Sequence, residues 1–263
     1  MFFSAQKICA GYGSHKVLQN ISFSMQSGCL MGILGANGSG KTTLIKALSG
    51  ILPHGGTCLL EDTGLETLTP KQIARLVSYI PQRSGISIDI SALDVVLMGF
   101  NPRLKLLEHP TEAMKQAARA AMAQVGLTGK EEVNYLHLSE GKKQLCILAR
   151  TMVSGSRLLL LDEPESALDF RHRYRMLDIL RDWVRSTQGG AIITLHDPVL
   201  ALNSCDSLMI LKNGEILEIL SPQTDPLEKM EQVLCEIYGP VSLQVCRTRS
   251  GKNVLTMLKE DAQ

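Results

Sequence analysis

The sequence has no excess of charge of one sign and no long hydrophobic run. Its 263 residues contain 27 Lys and Arg against 26 Asp and Glu, which gives a formal net charge of +1. Binding nucleic acid through counterion release requires a concentrated basic face, so this balance argues against a nucleic-acid partner. The longest apolar runs, near residues 30–36 and 158–161, fall short of the roughly 18 residues that span a bilayer. We therefore predict no membrane-spanning segment.

Signals of secretion and of a disulfide or metal framework are also missing. Residues 1–13 lack a basic region followed by a long apolar region, so no secretory signal peptide is predicted. No CxxC spacing occurs, and a chain of this size does not need disulfides for stability. We expect the cysteines to be buried thiols in a reducing compartment; they are Cys9, Cys29, Cys58, Cys146, Cys205, Cys235 and Cys246.

The pattern along the chain predicts an α/β domain. Hydrophobic residues make up 44% and charged residues 20%, a mixture typical of globular proteins with a sizeable core. Thr69, Pro70 and Gln72 supply a helix N-cap, a first-turn proline and a capping-box partner, so a short helix should begin there. A further helix should begin near Lys41. Periodicity predicts strands at residues 17–25, 28–34, 77–80, 158–161, 191–195 and 207–211.

A helical insertion and a short tail complete the predicted organisation. Residues 91–152 are rich in Ala, Met and Leu, and residues 111–125 form an especially strong helix pattern. After Pro226 a helix should run to about residue 237, followed by a hairpin of residues 241–245 and 253–258. The alternating apolar positions of the hairpin favour packing over a regulatory role for this tail.

Residues 35–42 read GANGSGKT, a full match to the phosphate-binding loop pattern G-x-x-x-x-G-K-[ST]. Gly38 and Gly40 allow successive backbone N–H groups to curl around an anion, and the following helix adds its positive dipole end. Lys41 would reach the β- and γ-phosphates, and the Thr42 hydroxyl would coordinate Mg²⁺. A chance match is less probable here because the motif follows an apolar strand and opens a helix.

Residues 158–163 read LLLLDE, which places two carboxylates at the end of a buried strand. Ligand sites of α/β sheets lie at the carboxyl ends of the strands. Taken alone, this pattern is weak evidence, and a strand that simply exits to solvent is the better interpretation. Paired with the phosphate-binding loop, it assigns Asp162 to the metal and Glu163 to polarising the attacking water.

With these motifs in order, residues 3–225 resemble the ATP-binding-cassette (ABC) ATPases. The sequence LSEGKKQ at 138–144 resembles the family's signature motif, and SALD at 166–169 and TLHD at 194–197 follow in the family's order. The resemblance implies catalytic roles for Glu163, His196 and Gln82, and metal ligation by Thr42, Gln82 and Asp162. The cofactor-binding residues that it implies are Tyr12, Gly35, Ala36, Asn37, Gly38, Ser39, Gly40, Lys41, Thr42, Thr43, Ser139, Gly141 and Asp169.

For three of these residues the sequence leaves open a simpler, purely structural interpretation. Tyr12 offers a ring face to adenine, yet a tyrosine between glycines is usually a loop residue. Gln82 would ligate Mg²⁺ through its carbonyl and link nucleotide state to a partner, or would only end a strand. By family analogy His196 contacts the γ-phosphate; without that analogy, a histidine of the capping region or of the core is the better interpretation.

The signature motif departs from the family's commonest form, LSGGQ, at two positions. Glu140 replaces the first glycine and Lys142 the glutamine, whereas Ser139 and Gly141 remain. A carboxylate about 8 Å from a triphosphate charge raises the energy by roughly 0.5–2 kcal/mol for effective dielectrics of 80 to 20. Because Lys142 and Lys143 oppose this repulsion, we expect altered affinity or turnover with activity retained.

The resemblance implies a P-loop NTPase fold with a mixed β-sheet core, an antiparallel β subdomain and a helical insertion. The expected ATPase domain is 1–225, with a helical subdomain at about 83–155 and a C-terminal helix and strand extension at 226–263. ATP and Mg²⁺ are the implied cofactors, and a head-to-tail pair of ATPase subunits, expected as a homodimer, is the implied active unit.

The expected role is the ATPase of an importer for iron-siderophore, haem or cobalamin, at the cytoplasmic face of the membrane. Subfamily resemblance lies in residues 77–103 and in EIYGPVSLQV at 236–245. Partners would be integral-membrane permease subunits, facing residues 83–109, and indirectly a substrate-binding protein. The alternatives are a non-transport ABC ATPase, such as one of iron-sulfur assembly, and a P-loop kinase, which would not need the signature motif.

Overall fold

The computed structural model describes residues 1–82, 85–105 and 107–260. Its strands are β1 (Phe3–Tyr12), β2 (His15–Met25), β3 (Cys29–Leu34), β4 (His54–Leu60), β5 (Thr63–Gly64), β6 (Val77–Ile80), β7 (Leu158–Asp162), β8 (Gly190–Thr194), β9 (Ser207–Lys212), β10 (Glu215–Leu220), β11 (Val241–Arg247) and β12 (Asn253–Lys259). Its α-helices are α1 (Lys41–Leu48), α2 (Pro70–Leu76), α3 (Ala92–Leu97), α4 (Glu112–Gln124), α5 (Glu140–Val153), α6 (Phe170–Thr187), α7 (Pro198–Ser204) and α8 (Leu227–Tyr238). Short 3₁₀ helices occupy Leu65–Thr67, Met98–Phe100 and Tyr135–His137.

A six-stranded mixed sheet forms the centre of the molecule, in the order β10-β9-β3-β8-β7-β6. Its neighbours pair in parallel except β9 and β10, which are joined by the tight turn at Asn213 and Gly214. Every residue of β7 and β8 is buried, as expected for parallel strands covered on both faces. Asp162 pairs in register with Thr194, so the carboxyl ends of β7 and β8 meet at one edge. This edge holds the site described below.

A second, antiparallel sheet packs beside the first in the order β2-β1-β4-β5. Its core combines Phe3, Ile8 and Leu18 with the buried face of α1, including Leu44 and Ile45. The sequence patterns predicted β2 from residue 17 to its end at Met25, and β1 and β4 were not individually predicted. The sheet confirms the predicted antiparallel β subdomain and the mixed α/β core.

The predicted helical insertion is present as separate helices joined by turns. Ser91 caps α3 by accepting the Asp94 N–H at 3.0 Å, and Thr111 caps α4 by accepting the Met114 N–H at 3.3 Å. Thr69 and Gln72 form the predicted capping box of α2. Of the range 83–109, which was predicted to face a permease, residues 83, 84 and 106 lie outside the described part of the chain.

The tail folds as predicted, with α8 followed by the antiparallel β11–β12 hairpin. Leu234 and Leu243 join the larger core, and Asn203 of α7 exchanges two hydrogen bonds of 2.8 Å with the backbone of Leu255. These contacts support a packing role for the tail. The division into domains at residues 225 and 226 stays a prediction.

The expectation that all cysteines are buried is wrong. Cys58, Cys146 and Cys205 are buried, Cys29 and Cys235 are half-buried, and Cys9 and Cys246 are exposed. Alternate residues of a strand face opposite sides, so the outer faces of β1 and β11 carry Cys9 and Cys246 into solvent. Among the described residues, no helix has both the length and the apolar character needed to cross a bilayer.

Candidate functional site

The glycine-rich loop between β3 and α1 forms an anion cradle at the N-terminus of α1. Gly38 and Gly40 adopt φ angles of 80° and 104°, a left-handed backbone that side chains rarely tolerate. A Cβ on Gly40 would also lie 2.8 Å from the Leu18 side chain, so glycine is required there on two grounds. The Lys41 ammonium donates to the carbonyl oxygens of Gly35 at 2.9 Å and Ala36 at 3.2 Å, which anchors it across the loop.

The cradle opens into a cleft of about 340 Å³. The loop, the first turn of α1 and the catalytic candidate Glu163 share this cleft, so the predicted phosphate and acid residues are brought together. Its lining is Val17, Asn37, Gly38, Gly40, Lys41, Thr42, Thr43 and Glu163. Ser39 is buried, and its hydroxyl has no hydrogen-bond partner among the described residues.

Asp162 lies beneath the loop at the end of β7, almost fully buried. Its Oδ1 accepts hydrogen bonds from the Thr42 and Thr194 hydroxyls, each at 3.0 Å. Burial raises the pKa of the Asp162 carboxyl, and the two hydroxyl donors partly oppose that rise. Burial likewise lowers the pKa of Lys41, an effect that the nearby carboxylates of Glu163 and Asp162 oppose.

Glu163 follows Asp162 in a strained backbone conformation, with φ at 48°. A left-handed backbone at a non-glycine residue costs about 1–3 kcal/mol and persists only where neighbours enforce it. Here the Thr194 hydroxyl accepts the Glu163 N–H at 2.8 Å. Because Thr194 also donates to Asp162, one hydroxyl sets the positions of both acids.

Two side chains hold the Glu163 carboxylate, one on each oxygen. Gln82, just beyond β6, donates through its amide to Oε2 at 2.6 Å. His196, beyond β8, places Nε2 2.7 Å from Oε1. The predicted catalytic residues Glu163, His196 and Gln82 therefore lie together, with Gln82 hydrogen-bonded to Glu163 and His196 at ion-pair distance from it. Their juxtaposition supplies a carboxylate base with two positioning contacts.

The signature segment lies at the N-terminus of α5, away from this group. Ser139 is the N-cap residue, yet its side chain makes no capping hydrogen bond and is exposed. Gly141 lies against the Ala167 carbonyl, which a Cβ would approach to 3.2 Å. Glu140 forms an ion pair of 2.8 Å with Lys143, so part of its charge is neutralised by the lysine that the sequence indicated.

Two predicted nucleotide contacts have different surroundings. Tyr12 is at the end of β1 with half of its surface exposed, and it is paired in register with His15. Asp169 caps α6 by accepting the His172 N–H at 2.9 Å and contacting the His172 ring at 2.7 Å. The His172 backbone N–H is the main cause of a lowered pKa for Asp169, and the His172 ring adds to it. Nucleotide binding by Tyr12 and Asp169 stays a prediction.

Sequence reasoning missed two buried polar residues of the site, Thr194 and Glu165. Glu165 is 3% exposed and accepts the His196 N–H at 3.2 Å through Oε1, while Oε2 lacks a partner among the described residues. Burial raises its pKa. Thr194 could have been found from its place at the end of an apolar strand, the same signal that identified Asp162. Glu165 carries no such signal, because an acid in a turn is usually exposed.

A glycine-rich cradle at a helix N-terminus, facing two acids at the ends of neighbouring strands, defines the class of P-loop nucleoside triphosphatases. The family model described as ABC transporter matches residues 18–166. The chain belongs to the ABC transporter family and is an ATP-binding, ATP-hydrolysing subunit of that family.

Several similar curated proteins are named as import ATP-binding proteins. The chain is 35% identical over 236 residues to the hemin import ATP-binding protein HmuV of Bordetella pertussis, covering 86% of this chain and 88% of that protein. It is 30% identical over 210 residues to the cobalamin import ATP-binding protein BtuD of Halobacterium salinarum, covering 80% of this chain and 52% of the relative.

Solved structures of ABC cassettes share the fold. An inward-facing metal-chelate type ABC transporter matches with a TM-score of 0.82 at 24% identity, over 98% of both chains. The dimeric, post-hydrolysis cassette MJ0796 bound to ADP and Pi matches with a TM-score of 0.75 at 17% identity, over 84% of this chain and 98% of that one. These matches confirm the predicted ABC ATPase fold.

Proposed function

We propose that this chain is the motor subunit of an importer for a large metal chelate of the haem, cobalamin or iron-siderophore class. The observation that carries the proposal is the similarity to HmuV, which extends over most of both chains and beyond the nucleotide-binding motifs. The likeness to BtuD and to the metal-chelate transporter supports the same class of cargo. No feature of the described residues favours the alternative of a non-transport ATPase.

Mg²⁺ is the proposed metal cofactor. Mg²⁺ prefers hard oxygen ligands, and the Thr42 hydroxyl lies 3.0 Å from the Asp162 carboxylate at the edge of the cleft. The amide nitrogen of Gln82 donates a hydrogen bond to Glu163, which leaves the carbonyl oxygen of Gln82 as a further ligand for the metal. The residues therefore fit the ion. When bound, it would neutralise charge between the phosphates.

The remaining chemistry follows from the chain's own residues. The cradle amides and the Lys41 ammonium bind the phosphates by charge-assisted hydrogen bonds. Glu163 accepts the proton of the attacking water, and Gln82 and His196 orient its carboxylate. Thr194 fixes the Glu163 backbone, so the base is positioned before the nucleotide binds.

We further propose that hydrolysis requires two copies of the chain arranged head to tail. The uncapped Ser139 hydroxyl and the exposed N-terminus of α5 offer hydrogen-bond donors that nothing in the described residues of the same chain occupies. Such donors suit the γ-phosphate bound to another subunit, with Ser139 and Gly141 as the contacts. Tyr12 and Asp169 would complete the nucleotide site.

The proposed partners of this dimer are integral-membrane permease subunits at the cytoplasmic face of the membrane, where the dimer would bind peripherally. Residues 85–105 carry Ile88, which is 53% exposed, and they begin three positions after Gln82 in the sequence. A permease contact there would therefore influence the position of Glu163 through its hydrogen bond with Gln82. A substrate-binding protein would deliver the cargo on the other side of the membrane.

Transport by the reconstituted complex tests the proposal. The chain is co-expressed with a candidate permease, and uptake of haem, cobalamin and a ferric siderophore is measured in vesicles with ATP on the side of the chain and a substrate-binding protein on the other side. We expect one of the three to accumulate with the wild type and none with Glu163→Gln. Failure of the chain to co-purify with any permease, with ATPase activity intact, would support the non-transport alternative.

A matched pair of surface variants tests the permease contact. Ile88→Glu should lower uptake at least about tenfold while the basal ATPase rate stays unchanged, because a buried unpaired charge is costly at an interface. Leu217→Glu adds the same charge at an exposed position on β10 and should leave uptake unchanged. Loss of nucleotide binding in Ile88→Glu would contradict the assignment.

A further inference from the structure

A cluster of three side chains of metal-ligating type lies in the antiparallel subdomain, outside the nucleotide site. His54 and Cys58 both lie on β4, one on each side of the irregularity at Gly56, where φ is 90°. Glu66 is on the 3₁₀ helix that follows the β4–β5 hairpin and folds back along β4. One ligand atom from each side chain lies within 4.8 Å of the other two.

Hydrogen bonds already hold two of these side chains in place. Glu66 Oε1 accepts the Cys58 backbone N–H at 2.5 Å. His54 Nδ1 lies 3.2 Å from the Gly55 carbonyl, which can only accept, so this contact puts the proton on Nδ1. The Nε2 lone pair of the neutral ring is then free, 4.0 Å from Glu66 Oε1. A backbone carbonyl that orients the ring in this way is the usual second contact of a metal-bound histidine.

The surroundings of the cluster combine burial with access. Cys58 is fully buried, the His54 side chain is 10% exposed and the Glu66 side chain is 33% exposed. A cavity of about 220 Å³ borders His54 and Glu66 and is otherwise lined mainly by apolar residues, among them Leu48 and Leu65. Burial, together with the negative charge of Glu66, raises the pKa of the Cys58 thiol to about 12. A bound cation would displace that proton.

We propose that His54, Cys58 and Glu66 form a binding site for a borderline-soft divalent cation of the Zn²⁺ class. Imidazole nitrogen, thiolate sulfur and carboxylate oxygen are together the ligand set that Zn²⁺ and Co²⁺ prefer over Mg²⁺ or Ca²⁺. Tetrahedral ligands at about 2.0–2.3 Å from the ion lie about 3.5 Å apart, so the side chains close in by roughly 1 Å. The fourth position faces the cavity, where water or a small ligand would bind.

The site is separate from the nucleotide cleft. Leu48 borders the cavity and is the last residue of α1, whose first residue, Lys41, belongs to the phosphate cradle. The two sites therefore lie at opposite ends of an eight-residue helix, about 12 Å apart along its axis. The proposal does not depend on the cargo or on the transport function of the chain.

Cobalt spectroscopy on the tag-free full chain tests the proposal. Titration with CoCl₂ should give a near-ultraviolet thiolate-to-Co²⁺ charge-transfer band and visible bands of a tetrahedral ion, saturating at one equivalent. ZnCl₂ should bleach them. Cys58→Ser should abolish the charge-transfer band, and Cys9→Ser or Cys246→Ser, at exposed thiols, should leave it unchanged.

A second variant keeps the test decisive if Cys58→Ser fails to fold. Glu66→Gln retains an acceptor for the Cys58 N–H and sits at a partly exposed position, so it should fold normally. We expect its Zn²⁺ affinity to fall about tenfold or more, and Zn²⁺ to raise the Tm of the wild type but not of this variant. Absence of the band, or a band that is lost in Cys9→Ser or Cys246→Ser instead, would overturn the proposal.

Discussion

The Thr194 hydroxyl contacts both acids of the nucleotide site, Asp162 and Glu163. It is therefore the most informative group to remove. Thr194→Val keeps the shape of the buried side chain but deletes the donor to Asp162 at 3.0 Å and the acceptor of the Glu163 N–H at 2.8 Å. Thr194→Ser is the matched control, because it keeps the hydroxyl and loses only a methyl group. Thr194 itself is fully buried, so water cannot replace the lost contacts there.

The cost follows from the two groups that lose a hydrogen bond, the Glu163 N–H and the Asp162 carboxylate. A buried N–H without an acceptor costs about 1–3 kcal/mol, and a hydrogen bond to a carboxylate contributes about 1.5–3 kcal/mol. Because Asp162 keeps the Thr42 donor, the total lies nearer the sum of the lower limits, at about 2.5–4 kcal/mol. The Thr194 donor also lowers the pKa of Asp162, so its removal should raise that pKa further and move the acid limb of ATPase activity to higher pH.

Urea unfolding and a pH–rate profile measure both effects. Thr194→Val should lose about 2.5–4 kcal/mol in the free energy of unfolding and at least about tenfold in kcat, since the strained Glu163 backbone is released. Thr194→Ser should stay within about 1 kcal/mol of the wild type. A Thr194→Val protein with unchanged stability and an unchanged acid limb would refute the role of this hydroxyl.

Three further predictions concern single charges. Lys41→Ala should weaken ATP-analogue binding by about 1.5–3 kcal/mol, roughly 10- to 150-fold in Kd, with an unchanged circular dichroism spectrum; equal affinity would contradict its phosphate contact. Glu165 has a raised folded-state pKa, so the unfolded chain loses this proton first as pH rises above about 4.5, and the protein loses stability. Glu165→Gln removes that dependence, so the stability of this variant relative to the wild type should increase as the pH rises. A difference in unfolding free energy that stays constant with pH would refute the assignment. Glu140→Gln should strengthen the ATP-dependent dimer by about 0.5–2 kcal/mol per site in sedimentation at low salt, an effect that should shrink at high salt.

The fold was largely predictable because its strong signals are local. The apolar run of β7, the glycine turn before α1 and the capping box of α2 each specify structure within a few residues. β1 and β4 were harder to predict, because their positive-φ residues and register shifts interrupt the regular alternation of a strand. Lys7 and Gly56 mark two such interruptions.

The site divides in the same way. Gly38, Lys41 and Asp162 follow from motif and position, whereas the contacts among Gln82, Glu163 and His196 join three separate parts of the chain. No local pattern encodes such distances, and only the resemblance to a family suggested that these residues meet. The cluster of His54, Cys58 and Glu66 arises likewise from the fold, since the β4–β5 hairpin brings Glu66 back beside β4.

The central claim is that ATP is held between two copies of this chain and hydrolysed with Glu163 as the base. The most direct test is light scattering of Glu163→Gln, which should bind ATP but not hydrolyse it. We predict that ATP and Mg²⁺ shift its mass from that of the 28.8 kDa monomer to twice that value, and that adding Ser139→Ala reverses the shift. A folded, ATP-bound Glu163→Gln protein that stays at 28.8 kDa would contradict the account.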